Sequence, residues 1–196
     1  MLKRAFDIIV SATALSLLFP LLLLIGLSVA LSSPGGAFFR QVRVGRVGKE
    51  FRLYKFRTMR PGSEAQGQIT VGGRDPRITG IGYFLRKSKL DELPQLLNVL
   101  IGDMSIVGPR PEVPRYVALY SAEQRLVLNV RPGITSAASI AYMDENEILG
   151  RSPDPQRAYI EAVMPAKLSL DLDYVKNRGF FLDVSIILRT FIGLFR

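Results

Sequence analysis

The chain opens on an apolar run: Ile8 to Leu31 holds 24 consecutive positions without a charge. As a straight helix this run measures about 36 Å, more than a hydrocarbon core of about 30 Å. Lys3 and Arg4 precede it, and Ser28-Val29-Ala30 has the small residues of a cleavage site, but the run is too long for a cleavable signal. Pro20 near its middle removes the N–H that would bond the Ser16 carbonyl, and its ring presses on that turn, so a kink is expected. Both flanks are basic, with Lys3 and Arg4 before the run and Arg40, Arg43, Arg46 and Lys49 after it. Basic flanks favour the cytoplasmic side, so one straight span strands one flank on the wrong side. A helix that enters, bends at Pro20 and leaves by the same face satisfies both; a single span is the alternative. The freed backbone at such a bend needs cover in lipid, and Ser16 carries the nearby hydroxyl.

Ser32-Ser33-Pro34-Gly35-Gly36 then breaks the pattern, dividing a membrane segment (1–36) from the rest of the chain (37–196). Phe38–Val44 and Phe51–Phe56 read as strands of a hairpin around Gly45 and Gly48. Pro61–Gly73 is polar and Gly-rich, a mobile loop by composition, and Tyr83–Ser88 is a short apolar-basic element. Leu93, Leu96, Leu97 and Leu100 recur at helical spacing, with Asp91, Glu92 and Pro94 at the start and Gly102 as the stop. Ser121 and Gln124 form a capping box, Asp144–Asp154 reads as an acidic loop, and Glu161–Lys176 reads as a helix. In Asp183–Arg196 the residues Val184, Ile187, Leu188, Phe191, Ile192 and Phe195 make an apolar stripe, suited equally to a membrane interface and to packing on the domain. The fold class is therefore α+β, mostly helical, with a small hairpin or sheet and a membrane-dipping helix.

Composition narrows the chemistry. The 196 residues carry a net charge of +9, and residues 38–89 hold 13 of the 26 Lys and Arg against three acids. Such a face suits anionic lipid or phosphate ligands. Nucleic acid is disfavoured, because no fold signature of a nucleic-acid binder accompanies the charge and a membrane segment does. The chain has no Cys and no His. Thiol nucleophiles, thiolate zinc sites, imidazole bases and Ser-His-Asp triads are excluded. Carboxylates, Lys, Arg, Tyr, hydroxyls and hard cations on oxygen ligands remain.

The densest candidate is Arg86-x₄-Asp91-Glu92 at a helix start. Adjacent carboxylates can bind Mg²⁺, and an ionised Asp can attack phosphorus. The same acids also suit an ordinary first turn. Arg110 and Arg131 adjoin prolines in stiff turns, placed either for bidentate phosphate recognition or for surface ion pairs. Lys55 and Arg57 read as facing opposite sides of a strand, so that only one reaches any single site. Asp171 and Asp173 fall about 200° apart on a helix and point different ways.

The ordered stretches carry a resemblance. They are Phe39-x-Gln41-x-Arg43-x-Gly45-x-x-Gly48-x-x-Phe51, Tyr54–Met59, Leu85-Arg86-Lys87-Ser88-x-Leu90-Asp91-Glu92-Leu93-Pro94-Gln95-Leu96-x-Asn98-Val99-Leu100, Gly102-Asp103-Met104-Ser105-x-Val107-Gly108-Pro109-Arg110-Pro111, Arg131–Thr135 and Leu172-x-Tyr174-Val175-x-Asn177. Together they resemble the small monotopic phosphoglycosyl transferases, or bacterial sugar transferases, of the PglC kind. The Pro-broken segment is similar to that family's re-entrant membrane helix.

The resemblance implies that a UDP-sugar passes its sugar-1-phosphate to polyprenyl (undecaprenyl) phosphate with release of UMP, an early membrane step in glycoconjugate or exopolysaccharide assembly. It implies Mg²⁺, held by Asp91 and Glu92, and attack by Asp91 to form a phosphosugar-enzyme intermediate. Arg86, Arg110 and Arg131 are then expected at phosphates, with Lys55 and Asp171 in support. The implied location is the cytoplasmic face of the bacterial inner membrane, with a homo-oligomer left open. A non-catalytic module on acidic lipid is the alternative. Two stretches depart from the family pattern: Ser136–Tyr142 replaces a Gly-Trp-Ala-Gln stretch, and Phe19-Pro20 stands where Ser-Pro is frequent.

Overall fold

The computed structural model describes every residue except Met1, Gln68, Gly73, Arg74, Phe195 and Arg196. The apolar run forms α1 (Leu2–Ser32), with Pro20 inside it. Both halves of α1 are fastened to the same globular body. Near its start, Arg4 donates to the carbonyls of Val99 and Leu100 at 2.5 and 2.9 Å, and the buried Asp7 accepts from Ser105 Oγ and the Ile106 N–H, each at 3.1 Å. Beyond Pro20, Ile25 and Val29 are buried against Phe56 and Leu85. Between these anchors Ser16, Leu17 and Phe19–Leu21 are exposed.

The hairpin forms as its alternation predicts, from β1 (Phe38–Val44) and β2 (Glu50–Phe56), paired antiparallel with Phe38 opposite Phe56. Thr79 caps α2 (Gly80–Lys87) by accepting the Gly82 N–H. The leucine helix is α3 (Gln95–Ile101), ended by Gly102 at φ 108°, a conformation that favours glycine. It starts two residues later than expected, so Asp91 and Glu92 belong to a separate 3-10 turn, Leu90–Glu92.

β3 (Ser105–Val107) follows, then α4 (Pro114–Val117), and β4 (Gly133–Thr135) returns parallel to β3. The capping box is present as reciprocal bonds between Ser121 and Gln124, but the segment it opens is a 3-10 helix, Gln124–Asn129. α5 (Ala137–Ala141) and α6 (Glu145–Gly150) come next, so the acidic stretch read as a loop is partly helical. Its apolar anchor is the buried Leu149, one of few such residues among acids, which explains why composition hid it. α7 (Pro155–Ala158) leads through a π turn, Tyr159–Val163, into α8 (Met164–Asn177).

α9 (Phe180–Leu194) divides its stripe. Val184 and Ile187 are half-buried, while Leu188, Phe191 and Ile192 are exposed; Asp183 and Ile186 beside the stripe are buried, and Phe181 is 88% exposed. Phe195 and Arg196 of that stripe lie outside the described residues. The stretch 61–73 is more tethered than its composition implies. Arg77 pairs with Asp75 at 2.6 Å and donates to the carbonyls of Gly67 and Ile69, and Ser63–Gln66 form a 3-10 turn. Gln68 and Gly73 of this stretch lie outside the described residues.

Candidate active site

The 3-10 turn with Asp91 and Glu92 stands directly on the membrane helix, because Leu90 packs on the Ile25–Val29–Phe56–Leu85 cluster. Lys89 enters the turn in the left-handed region, at φ 57°, which turns the chain away from α2 before the acids. From β2, Lys55 Nζ reaches Glu92 Oε1 at 2.7 Å. Arg110 donates to the same oxygen at 2.6 Å and, more weakly, to Oε2 at 3.4 Å. Burial alone would raise the Glu92 carboxyl, but Arg110 and Lys55 outweigh it and hold Glu92 well below the usual carboxylate range.

Asp91 has the opposite environment. It is 6% exposed, and among the described residues its carboxylate accepts no hydrogen bond. Burial pushes its carboxyl up, as does the charge of Glu92, while Lys55, Arg86 and Lys89 pull it down. Neighbours in sequence thus have different surroundings: one carboxylate is neutralised and fixed, and the other is unpaired beside several cations. Arg86 comes from the last turn of α2 and donates to Thr70 Oγ1 at 2.7 Å.

Asp171 on α8 is buried behind this group. Its Oδ2 accepts the Arg110 N–H over a long 3.4 Å, and its Oδ1 is buried without a partner among the described residues. Asp173 is exposed, as the helical spacing requires. Burial pushes the Asp171 carboxyl up to about 7, against the pull of the Arg110 N–H, the nearby Ser136 hydroxyl, Lys167 and the Ala138 N–H. Between its unfolded value near 4 and about 7 the folded protein therefore binds the extra proton, so this group's contribution to stability falls as pH rises. Asp171→Asn should flatten that fall by on the order of 2 kcal/mol between pH 5 and pH 8. Urea denaturation in detergent at the two pH values measures the change.

Two expected residues stand elsewhere. Arg131 donates to the Gly102 carbonyl at 2.8 Å, at the end of α3 remote from the acid pair. With Arg4 it satisfies carbonyls that a helix of this length leaves free. Arg57 donates to the carbonyls of Gly36 and Phe38, away from the acids. Its divergence from Lys55 is not strand alternation, since positions two apart share a face. β2 ends at Phe56, and Arg57 is already beyond it.

Arg43, Glu112, Tyr159 and Thr70 also contribute, and local sequence patterns do not point to most of them. The one sequence signal was Gln41-x-Arg43, two polar residues on one strand face; the others depend on long-range contacts. Among the described residues no cluster of three or more acidic side chains forms a metal cage. Mg²⁺ is commonly held by one or two carboxylates together with substrate phosphates. Asp91, an unpaired oxygen donor, fits that role. Glu92, already shared by two cations, fits a positioning role better than direct ligation.

Asp91 is thus an unpaired carboxylate near Lys55, Arg86 and Lys89, one residue from Leu90, which packs on α1. The UDP-glucose:undecaprenyl-phosphate glucose-1-phosphate transferase of Caulobacter vibrioides is 38% identical over 193 residues, covering 96% of this chain and 67% of that protein. The UDP-N-acetylgalactosamine-undecaprenyl-phosphate N-acetylgalactosaminephosphotransferase of Aeromonas hydrophila is 38% identical over 192 residues, 96% of this chain. The chain spans 42% of the length of that relative. The exopolysaccharide production protein PSS of Rhizobium leguminosarum bv. phaseoli is 39% identical over 199 residues, covering 98% of this chain and 94% of that protein. The match to the bacterial sugar transferases runs over residues 1–196, and the chain belongs to that family.

Proposed function

We propose that this chain transfers the sugar-1-phosphate of a UDP-sugar to a polyprenyl phosphate such as undecaprenyl phosphate. The products are a polyprenyl-diphosphate-sugar and UMP. The observation that carries this reading is the unequal pair: Asp91 unpaired, and Glu92 bound by Lys55 and Arg110. An Asp91 oxygen attacks the sugar-proximal phosphorus, the bond from that phosphorus to the UMP oxygen breaks, and UMP leaves with the electron pair. A phosphate oxygen of the acceptor then attacks the same phosphorus, and the bond to Asp91 breaks. The acceptor needs no base, because a phosphate monoester with a second pKa of about 6 is already anionic at neutral pH. Arg86 and Arg110 orient the donor diphosphate and oppose its charge. Asp91, with substrate oxygens, would hold Mg²⁺, which when bound supplies further charge neutralisation.

Two of the relatives named above bear different sugars in their names, glucose and N-acetylgalactosamine, so a panel of UDP-sugars with undecaprenyl phosphate is the test. One sugar should give Mg²⁺-dependent UMP release, and omitting the acceptor should leave the protein heavier by one phosphosugar in its intact mass. Neither UMP nor adduct with any donor would leave a non-catalytic lipid-binding module instead.

The membrane reading extends the proposal: α1 dips into the cytoplasmic leaflet of the bacterial inner membrane and returns at Pro20. Attachment of both halves of α1 to one globular body supports it. A helix of 31 residues is about 46 Å if straight, enough to separate its ends by a membrane. Single cysteines at Leu2 and Ser32, in a chain that has no other, should both react with an impermeant thiol reagent from the cytoplasmic side. Labelling from opposite sides would establish a span.

A further inference from the structure

Arg110 reaches Glu92 from the turn Gly108-Pro109-Arg110-Pro111, and the groups that hold this turn lie outside the acid pair. The Pro111 carbonyl accepts from Arg43 at 2.9 Å. The same guanidinium nitrogen donates to Glu112 Oε1 at 3.1 Å, and the other nitrogens of Arg43 donate to Gln41 Oε1 at 3.0 and 2.7 Å. Glu112 Oε1 also accepts the Val113 N–H at 2.7 Å, and Glu112 Oε2 accepts the Tyr159 hydroxyl. The Glu112 carbonyl accepts the Val44 N–H at 2.9 Å, tying the segment to β1. On the other side the Pro109 carbonyl accepts the Gly133 N–H at 2.9 Å.

Tyr159 is 4% exposed, with its ring 4.9 Å from that of Tyr116. A tyrosine that only filled core would not need its hydroxyl, yet this hydroxyl meets a carboxylate next to the turn. Tyr159 also opens the π turn between α7 and α8. Such turns are uncommon and frequent at functional sites, because the added residue changes which side chains face inward.

We propose that Tyr159 and Glu112, with Arg43 between Glu112 and the Pro111 carbonyl, are positioning residues for Arg110. They fix the backbone from which its guanidinium reaches Glu92 and the donor phosphates. A side chain with several rotatable bonds is placed only as well as its backbone, and a misplacement of about 1 Å at a reacting centre can cost about a hundredfold in rate. None of the three touches a reacting atom. The kinetic part of this inference rests on the transferase reading; the structural part does not.

A double-mutant cycle between Tyr159→Phe and Arg110→Lys tests it. Tyr159→Phe should lower kcat/KM for UMP release about tenfold in the wild-type background and less than about twofold in the Arg110→Lys background, because coupled sites are non-additive. Equal losses in both backgrounds, or no loss from Tyr159→Phe, would overturn the proposal. The same cycle is run on the urea midpoint without ligand, where non-additivity is also expected and additivity counts against the proposal. Coupling in the midpoint with additive kinetics would leave a structural role only and likewise overturn it. If the wild type releases no UMP, the transferase reading falls and the midpoint cycle still decides whether Tyr159 and Arg110 are coupled. If Tyr159→Phe does not fold, Glu112→Gln takes its place, since it keeps the side-chain shape and removes the charge.

Discussion

Asp91→Asn should abolish UMP release, by at least about a thousandfold, while the protein keeps its fold and its urea midpoint. The amide has nearly the shape of the carboxylate but no charge and no oxygen able to form a stable acyl phosphate. Stability is spared because Asp91 accepts no hydrogen bond among the described residues, so losing its charge orphans no donor. Burial raises its carboxyl in the free protein, and removing the charge relieves that desolvation. Glu92→Gln is the informative contrast. It leaves Lys55 and Arg110 without their counter-charge, and breaking a buried pair in this way costs about 3 kcal/mol or more. Arg110 keeps part of its exposure, which lowers that figure for its share. Activity and stability should therefore separate at position 91 and fall together at 92. Circular dichroism and denaturation alongside the UMP assay distinguish the two. Full turnover by Asp91→Asn would remove the nucleophile from the mechanism.

Gly133→Ala should be nearly as severe for activity and far worse for stability. A Cβ at Gly133 would lie 2.1 Å from the Gly108 nitrogen, 2.5 Å from the Gly108 oxygen and 2.6 Å from the Thr135 oxygen. All are backbone atoms, so no side chain can swing away. Gly108 is equally confined, with the Arg131 oxygen 2.4 Å from its own Cβ position. The two glycines let β3 and β4 meet at the base of the turn that carries Arg110. Overpacking of backbone against backbone costs about 3 kcal/mol or more, and relief requires moving the turn. We expect a large drop in urea midpoint and loss of most activity. Gly179→Ala is the control, since its Cβ would have no neighbour closer than 4.0 Å. A Gly133→Ala variant with the wild-type midpoint would show that the strands can separate freely.

Elements with strong local signals were legible in the sequence. The hairpin strands appear almost residue for residue, because alternation and the glycines of the turn act over short range. Gly102 ends α3 for the same kind of reason, as only a left-handed residue lets the chain leave there. Elements held by distant contacts were not. α6 looked like an acidic loop because its anchor is a single leucine and its support is the Lys167–Glu145 ion pair from another helix. The segment 61–73 looked mobile because the arginine that ties it, Arg77, lies beyond its end. The stiff turn of Arg131 suits a phosphate ligand, but its partner is a helix carbonyl. A stiff turn fixes where a guanidinium starts and says nothing about what it meets.

The sequence by itself determined the chemistry open to this protein. With no His and no Cys, a basic face and an apolar run broken by Pro20, it left carboxylates, hydroxyls and amines as reactive groups, phosphate ligands and a membrane. The order of its motifs also determined the family. Only the tertiary structure gave two neighbouring acids different surroundings. Asp91 and Glu92 are similar in type and adjacent in the chain, so nothing local separates them. What separates them is Lys55 from β2 and Arg110 from the turn after β3, brought within hydrogen-bond distance of one carboxylate only. Charge interactions depend on distance through space, and distance through space between residues 55, 92 and 110 exists only once the chain has folded.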